Sequence, residues 1–100
     1  MLIQNNTYKV DPGIVSEWYR WQREVCIPEI MKTGLFSEYR CYELLDMEET
    51  DGKTYVIQFW AKDKKDHDRF VREYDRDFEK WSLDNWGHRI VRFRTLLGAL

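Results

Sequence analysis

Two cysteines, two prolines, two histidines and five glycines are all that a chain of 100 residues carries of these types. Two cysteines make no disulfide framework, and a reduced, cytoplasmic protein is the default expectation. The net charge is −2 and the pI is near 5.7, so the basic footprint of a nucleic-acid binder is missing. No apolar run approaches the roughly 20 residues of a membrane span. The amino terminus, MLIQNNTYKV, turns polar at Gln4 with no long apolar segment, so no secretory leader is expected. Repeats, low-complexity segments and linkers are absent too, and residues 1–100 read as a single domain.

What the chain has instead is apolar and aromatic surface. Hydrophobic residues make up 43% and charged residues 34%, the balance of a globular protein. Aromatic residues make up 16% and five of them are tryptophan, more ring surface than one small core readily hides. Aromatic side chains are enriched at protein interfaces. A homodimer is therefore the expected assembly.

Residues 2–10 read as a strand ending at Asp-Pro-Gly, where Asp11 caps a helix and Pro12 suits its first turn. Ile14, Val15, Trp18, Gln22 and Val25 recur on one helical face, with Trp21 on its flank. Pro28 lacks the N–H that a helix interior uses, so the first helix is expected to end or kink near residues 25–27. PEIMKTG then adds a further turn or two up to a Gly34 cap. A second strand runs from Phe36 to about Met47, and Asp51-Gly52 is a strong hairpin signal. KTYVIQFWA is the third strand. Asp63, with Asp66 three residues on, caps a second helix whose apolar stripe is His67, Phe70, Val71, Tyr74, Phe78 and Trp81 and which Gly87 ends. HRIVRFRTLLGAL is the fourth strand. The order β-α-β-β-α-β, with right-handed crossovers, gives an antiparallel four-stranded sheet with both helices on one face, the ferredoxin-like α+β layout with strands one and three central.

Alternation sorts the strand faces. Tyr55, Ile57 and Phe59 point one way, and Val56, Gln58 and Trp60 the other. Val91, Phe93 and Leu97 share a face opposite Arg92 and Arg94. Placing the wholly apolar sets under the helices leaves Val56, Gln58, Trp60, Arg92 and Arg94 on the outer face. An outer face in water would be mostly polar, so Val56 and Trp60 are candidate dimer-interface residues, covered by a second copy of the sheet. The first strand, IQNNT, has polar residues on both faces, and the residues alone leave open which face is buried. A buried amide without partners costs about 1–3 kcal/mol, so one asparagine belongs to a polar network with Gln58 and the arginines.

Individual candidates are weak by composition. Trp18 and Trp21 sit at helical spacing and read as core or core plus interface rather than as a lid. Cys26 lies near a helix C-terminus, the wrong end for a low thiol pKa, and reads as a small buried hydrophobe. His67 and His88 lack the spacing of a zinc pair, so no metal site is expected. The charge-rich stretch DKKDHDRFVREYDRDFEK reads as a solvated helix face. An RNA-recognition domain shares the element order, and GKTYVIQFW faintly echoes its aromatic strand. Its first strand would need an aromatic residue where this one has Gln4, Asn5 and Asn6.

YKVDP, IPEIMKTGLFSEYR, TYVIQFWA and WGHRIVRFRTLL together resemble domain-of-unknown-function family 4286, a family of short bacterial proteins, over residues 1 to about 97. The resemblance implies the layout of the dimeric α/β barrels, in which two ferredoxin-like sheets close face to face. That superfamily includes cofactor-free monooxygenases, haem-degrading enzymes and pure binding modules, so the activity stays open. In the family pattern a histidine commonly precedes IPE, where this chain has Cys26, which weakens a general acid–base reading. The recurrence of N-x-T in the family favours the register that puts Asn5 and Thr7 with Gln58, Arg92 and Arg94 in one polar belt, with Glu43 as the arginines' nearest carboxylate. No catalytic residue and no cofactor is assigned. The chain reads as a binding module for a small molecule or a protein, and the alternative is a small cofactor-free oxygenase.

Overall fold

The computed structural model describes residues 1–45, 48, 50 and 52–100. Strands β1 (Leu2–Val10), β2 (Glu38–Glu43), β3 (Lys53–Ala61) and β4 (Ile90–Gly98) form one antiparallel sheet in the order β2-β3-β1-β4. The helical connections lie on one face of it. The first is α1 (Val15–Trp21) and α2 (Ile27–Lys32), joined through a π-helical segment at Gln22–Cys26. The second is α3 (Lys64–Phe70) and α4 (Arg76–Trp86), joined through a π-helical segment at Val71–Asp75. The expected ferredoxin-like layout with β1 and β3 central is what the chain adopts. Strand β2 is shorter than expected: Phe36 precedes it and packs into the core against Phe59 and Phe70 with centroids 5.3 and 4.7 Å away. Asp51 of the Asp-Gly signal and Met47 lie outside the described residues.

Local chemistry accounts for the element ends. The Asp11 carboxylate accepts from the Gly13 N–H at 2.9 Å, and that of Asp63 from the Asp66 N–H at 2.9 Å. Gly34 and Gly87 leave their helices at φ 75° and 60°, the left-handed region where a Cβ is costly.

The proline break is resolved differently from the expectation. The helix neither stops nor separates before Pro28. Instead the backbone widens, and the Ile27 N–H bonds the Gln22 carbonyl five residues back. The wider turn adds one residue to the apolar repeat. Val25, expected inward, is exposed, and Cys26 takes the buried position. At the second π segment Val71, expected in the apolar stripe, is exposed, while Phe70 is buried as expected.

Trp18 lies under the sheet, fully buried, against Tyr8 and Tyr55 at 5.1 and 5.6 Å. Trp21 packs edge-on against Trp81 and Trp86. Both tryptophans are thus held by other rings. The even-numbered residues of β1, Gln4 to Val10, face the helices, as do Tyr55, Ile57, Phe59 and Ala61.

Gly52 is the tightest point of the sheet. It sits at φ 120°, and a Cβ there would lie 1.9 Å from the Val10 carbonyl oxygen. Gly52→Ala combines a forbidden backbone region with a backbone clash. It is expected to cost at least about 2 kcal/mol, measured by urea unfolding, whereas Gly34→Ala, which meets nothing within 4 Å, is expected to cost less.

Candidate functional site

Strand pairing overturns the expected placement of the two arginines. Arg92 lies opposite Tyr8 and Arg94 opposite Asn6, both buried on the helix side. Arg92 and Arg94 therefore share the helix side of the sheet, and Val91, Phe93 and Leu97 take the outer side. Strand β4 is an edge, and its inward side meets the second helical segment at Asp75 and Glu79 rather than the centre of the core. Arg94 Nη2 donates to the Asp75 carboxylate, Arg92 Nη2 lies 3.3 Å from Glu79 Oε1, and Arg92 Nη1 lies 4.0 Å from Asp75. Glu43, expected to serve the arginines, instead pairs with Lys53 at 3.1 Å.

The proposed polar belt is thus divided between two faces. On the outer face Gln58 Nε2 donates to Asn5 Oδ1 at 3.1 Å, with Thr7 next along the strand. These two residues lie in the register expected for them, with Val56 and Trp60 on the same face. The Arg40 guanidinium lies 5.0 Å over the Trp60 ring and is itself held by Glu38 at 2.6 Å.

On the helix side the sequence reading missed a row of polar groups. Gln4 and Asn6 are both buried on the central strand. Neither is orphaned. Gln4 Oε1 lies 2.8 Å from His67 Nε2, Gln4 Nε2 donates to Asn6 Oδ1 at 3.4 Å, and Asn6 Nδ2 donates to the Tyr8 hydroxyl at 3.2 Å. The row runs from the second helical segment down the strand to Tyr8, beside Arg92. The one signal in the sequence was the polar doublet at each face of β1; which member was buried awaited the pairing.

The row ends in a cavity of about 190 Å³ between sheet and helices. Tyr8, Arg92 and Asn6 line it from the sheet, Gln22 and Cys26 from the first π segment, and Asp75 from the second. Phe70, Phe78 and Ile30 supply apolar wall. Both π segments thus aim a side chain into the same space, and such segments are frequent at functional sites. Gln22 is only 2% exposed, yet among the described residues nothing hydrogen-bonds its side chain.

The electrostatics make the cavity a donor site. Burial pushes the Tyr8 phenol up to about 12, partly offset by the Arg92 charge. Burial likewise pushes the Cys26 thiol up to about 12. His67 is lowered, first by burial and then by the Arg94 charge, so its ring is neutral near pH 7. Among the described residues no three His, Cys, Asp or Glu side chains gather for a metal ion, and no helix is long and apolar enough to cross a membrane.

A four-stranded antiparallel sheet carrying helices on one face, with a cavity between the layers, defines a ferredoxin-like α+β protein. Solved structures share that architecture at low sequence identity. One is an ethyl tert-butyl ether (EthD) family protein from Bacillus halodurans, with a TM-score of 0.74, 10% identity and 100% of both chains covered. Another is a dimeric ferredoxin-like protein from an uncultured marine organism, with a TM-score of 0.69, 11% identity and 96% and 92% of the two chains covered. A third is SnoaB, a cofactor-independent oxygenase from Streptomyces nogalater, with a TM-score of 0.67, 13% identity and 98% and 91% covered. By sequence, no curated protein matches the chain. The chain belongs to the DUF4286 family, a domain of unknown function, whose pattern matches residues 1–100.

Two outcomes follow from the buried titratable groups. His67 has a folded pKa below its ordinary value, so the unfolded chain binds more protons as the solution acidifies. The His67 contribution to stability is complete above the unfolded histidine value near 6.5 and is lost as pH falls through the lowered folded value. Urea midpoints taken from pH 7 downward are expected to drop, and His67→Gln to flatten that segment of the curve. With Cys41→Ser as background, Cys26 is expected to react with a thiol reagent on the order of a thousandfold more slowly in the native protein than in urea. Comparable rates would mean an accessible, reactive thiol.

Proposed function

We propose that the protein is a homodimeric binding module, with the outer sheet faces of two copies closed on each other and a small molecule held in the cavity of each subunit. The observation that carries the ligand is the set of hydrogen-bonding groups around the cavity, above all Tyr8. Asn6 donates to its oxygen and the Arg92 cation, which can only donate, lies beside it. Its own proton meets no acceptor among the described residues. A ligand oxygen in the cavity would complete it.

The dimer is supported by the outer face. Val91 and Phe93 are 49% and 62% exposed there, alongside Leu97, Val56 and Trp60. Such a stripe across both central and edge strands is out of place on a sheet face left in water. One of the similar folds is a dimeric ferredoxin-like protein. Trp60 and Val56, together with Asn5, Thr7 and Gln58, belong to this contact, the polar trio setting its register. Arg92 and Arg94 belong to the ligand side. The two unpaired cysteines suit a reducing compartment such as the cytoplasm.

A second reading, a cofactor-free oxygenase, has behind it the fold shared with SnoaB. The chemistry of the cavity favours binding instead: Tyr8 and Cys26 are held protonated, and Asp75 and Glu79 are engaged by arginines, so no free carboxylate stands ready as a base.

Phe93→Glu tests the assembly without touching the core, since a charge on so exposed a side chain costs a lone subunit little. Burying it against a second sheet would weaken dimerisation at least about a hundredfold. Native mass spectrometry of the unaltered protein is expected to show twice the chain mass, with a retained small molecule visible as added mass. The variant is expected to show the single chain mass. A variant that stays dimeric with unchanged affinity refutes the face-to-face contact.

A further inference from the structure

The inventory of the cavity narrows what it takes up, on the reading of that cavity as a ligand site. Its size is the first constraint. An apolar cavity of about 150 Å³ accepts benzene, so about 190 Å³ admits a six-membered ring with one small substituent. Phe70, Phe78 and Ile30 suit the ring. Charge is the second constraint. Arg92, Asp75 and Glu79 line the cavity, and Arg94, outside the lining, pairs with Asp75, so the cavity offers no unpaired positive charge. An anion would have to displace Glu79 from Arg92 and would arrive beside Asp75, the other carboxylate of the cluster. The third constraint is the buried Gln22 amide, which lines the cavity without a protein partner. An amide both donates and accepts, so a ligand that excludes water from it and offers only acceptors or only apolar surface would leave one of its groups unsatisfied. Tyr8 adds a donor.

We infer that the cavity binds an uncharged, ring-sized molecule carrying a carbonyl with an adjacent N–H, such as a primary amide, with Gln22 pairing both groups and Tyr8 donating to the carbonyl oxygen. The ring lies against Phe70 and Phe78, and the polar end lies toward the sheet.

Benzamide, benzoate and toluene are the probes, titrated into the intact protein and followed by melting temperature and by the side-chain amide resonances in a ¹H–¹⁵N spectrum. The Gln22 signal is assigned by its loss in Gln22→Leu. Benzamide is expected to raise the melting temperature in a saturating manner and to move the Gln22 resonance. Its affinity is expected to fall about tenfold in Gln22→Leu and in Tyr8→Phe, the loss of one hydrogen bond each, and benzoate is expected to bind at least about tenfold more weakly. The resonance test needs no variant other than the assigned one and stands if Tyr8→Phe does not fold. Benzoate binding as tightly as benzamide, or toluene alone binding, overturns the inferred class and leaves the cavity a ligand site. Benzamide binding that leaves the Gln22 resonance unmoved overturns the pairing. Silence from all three probes overturns the class and the cavity reading together.

Discussion

The structure turns on a constraint that central strand β1 sets for itself: Gln4 and Asn6 face the interior. Two amides buried in a core of this size must be satisfied or they cost a large share of its stability. Their solution is a single directed row from His67 through Gln4 and Asn6 to Tyr8. Where that row reaches Asn6 and Tyr8, β4 presents polar groups on the helix side, while Leu96 lies opposite Gln4. Arg94 sits across from Asn6 and Arg92 across from Tyr8. Asp75 and Glu79 then meet the arginines, and Val91, Phe93 and Leu97 point outward.

The two π segments follow the same logic at the level of the helices. A regular helix through Gln22 would carry Val25 inward and leave Cys26 at the side. The widened turn before Pro28 reverses them, and it keeps Gln22 and Cys26 on the cavity side. The corresponding turn at Val71–Asp75 exposes Val71 and delivers Asp75 to the arginines. The cavity is lined where the two widened turns face the polar row.

The same arrangement gives the molecule two unlike faces. The inner one combines aromatic packing around Trp18 and Phe70 with a charge-balanced polar edge. The outer one is flat sheet with Phe93, Val91 and Leu97 beside Trp60, and with Asn5 and Gln58 bonded to each other at its centre. Apolar surface around a small satisfied polar centre is unusual for a sheet face left in water, which is the basis of the proposed contact between copies.

The element order, the helix caps at Asp11 and Asp63, the glycine stops and the burial of Tyr55, Ile57 and Phe59 were legible in the residues, because each depends on neighbours a few positions away. The burial of Cys26 was legible for the same reason. Of the residues expected in one belt, Asn5 and Gln58 meet on the outer face, while Arg92 and Arg94 lie on the other side of the sheet. Alternation says which residues of a strand share a face and never says which face is inside. The usual rule, apolar inward, fails for β4 because the interior it meets is already polar. Fold and caps were determined by the sequence alone. Which side of β4 is buried, where the helical repeat shifts, and hence the cavity itself, were decided by the tertiary structure, since only there do residues 4–8, 22–26, 75–79 and 92 line one space.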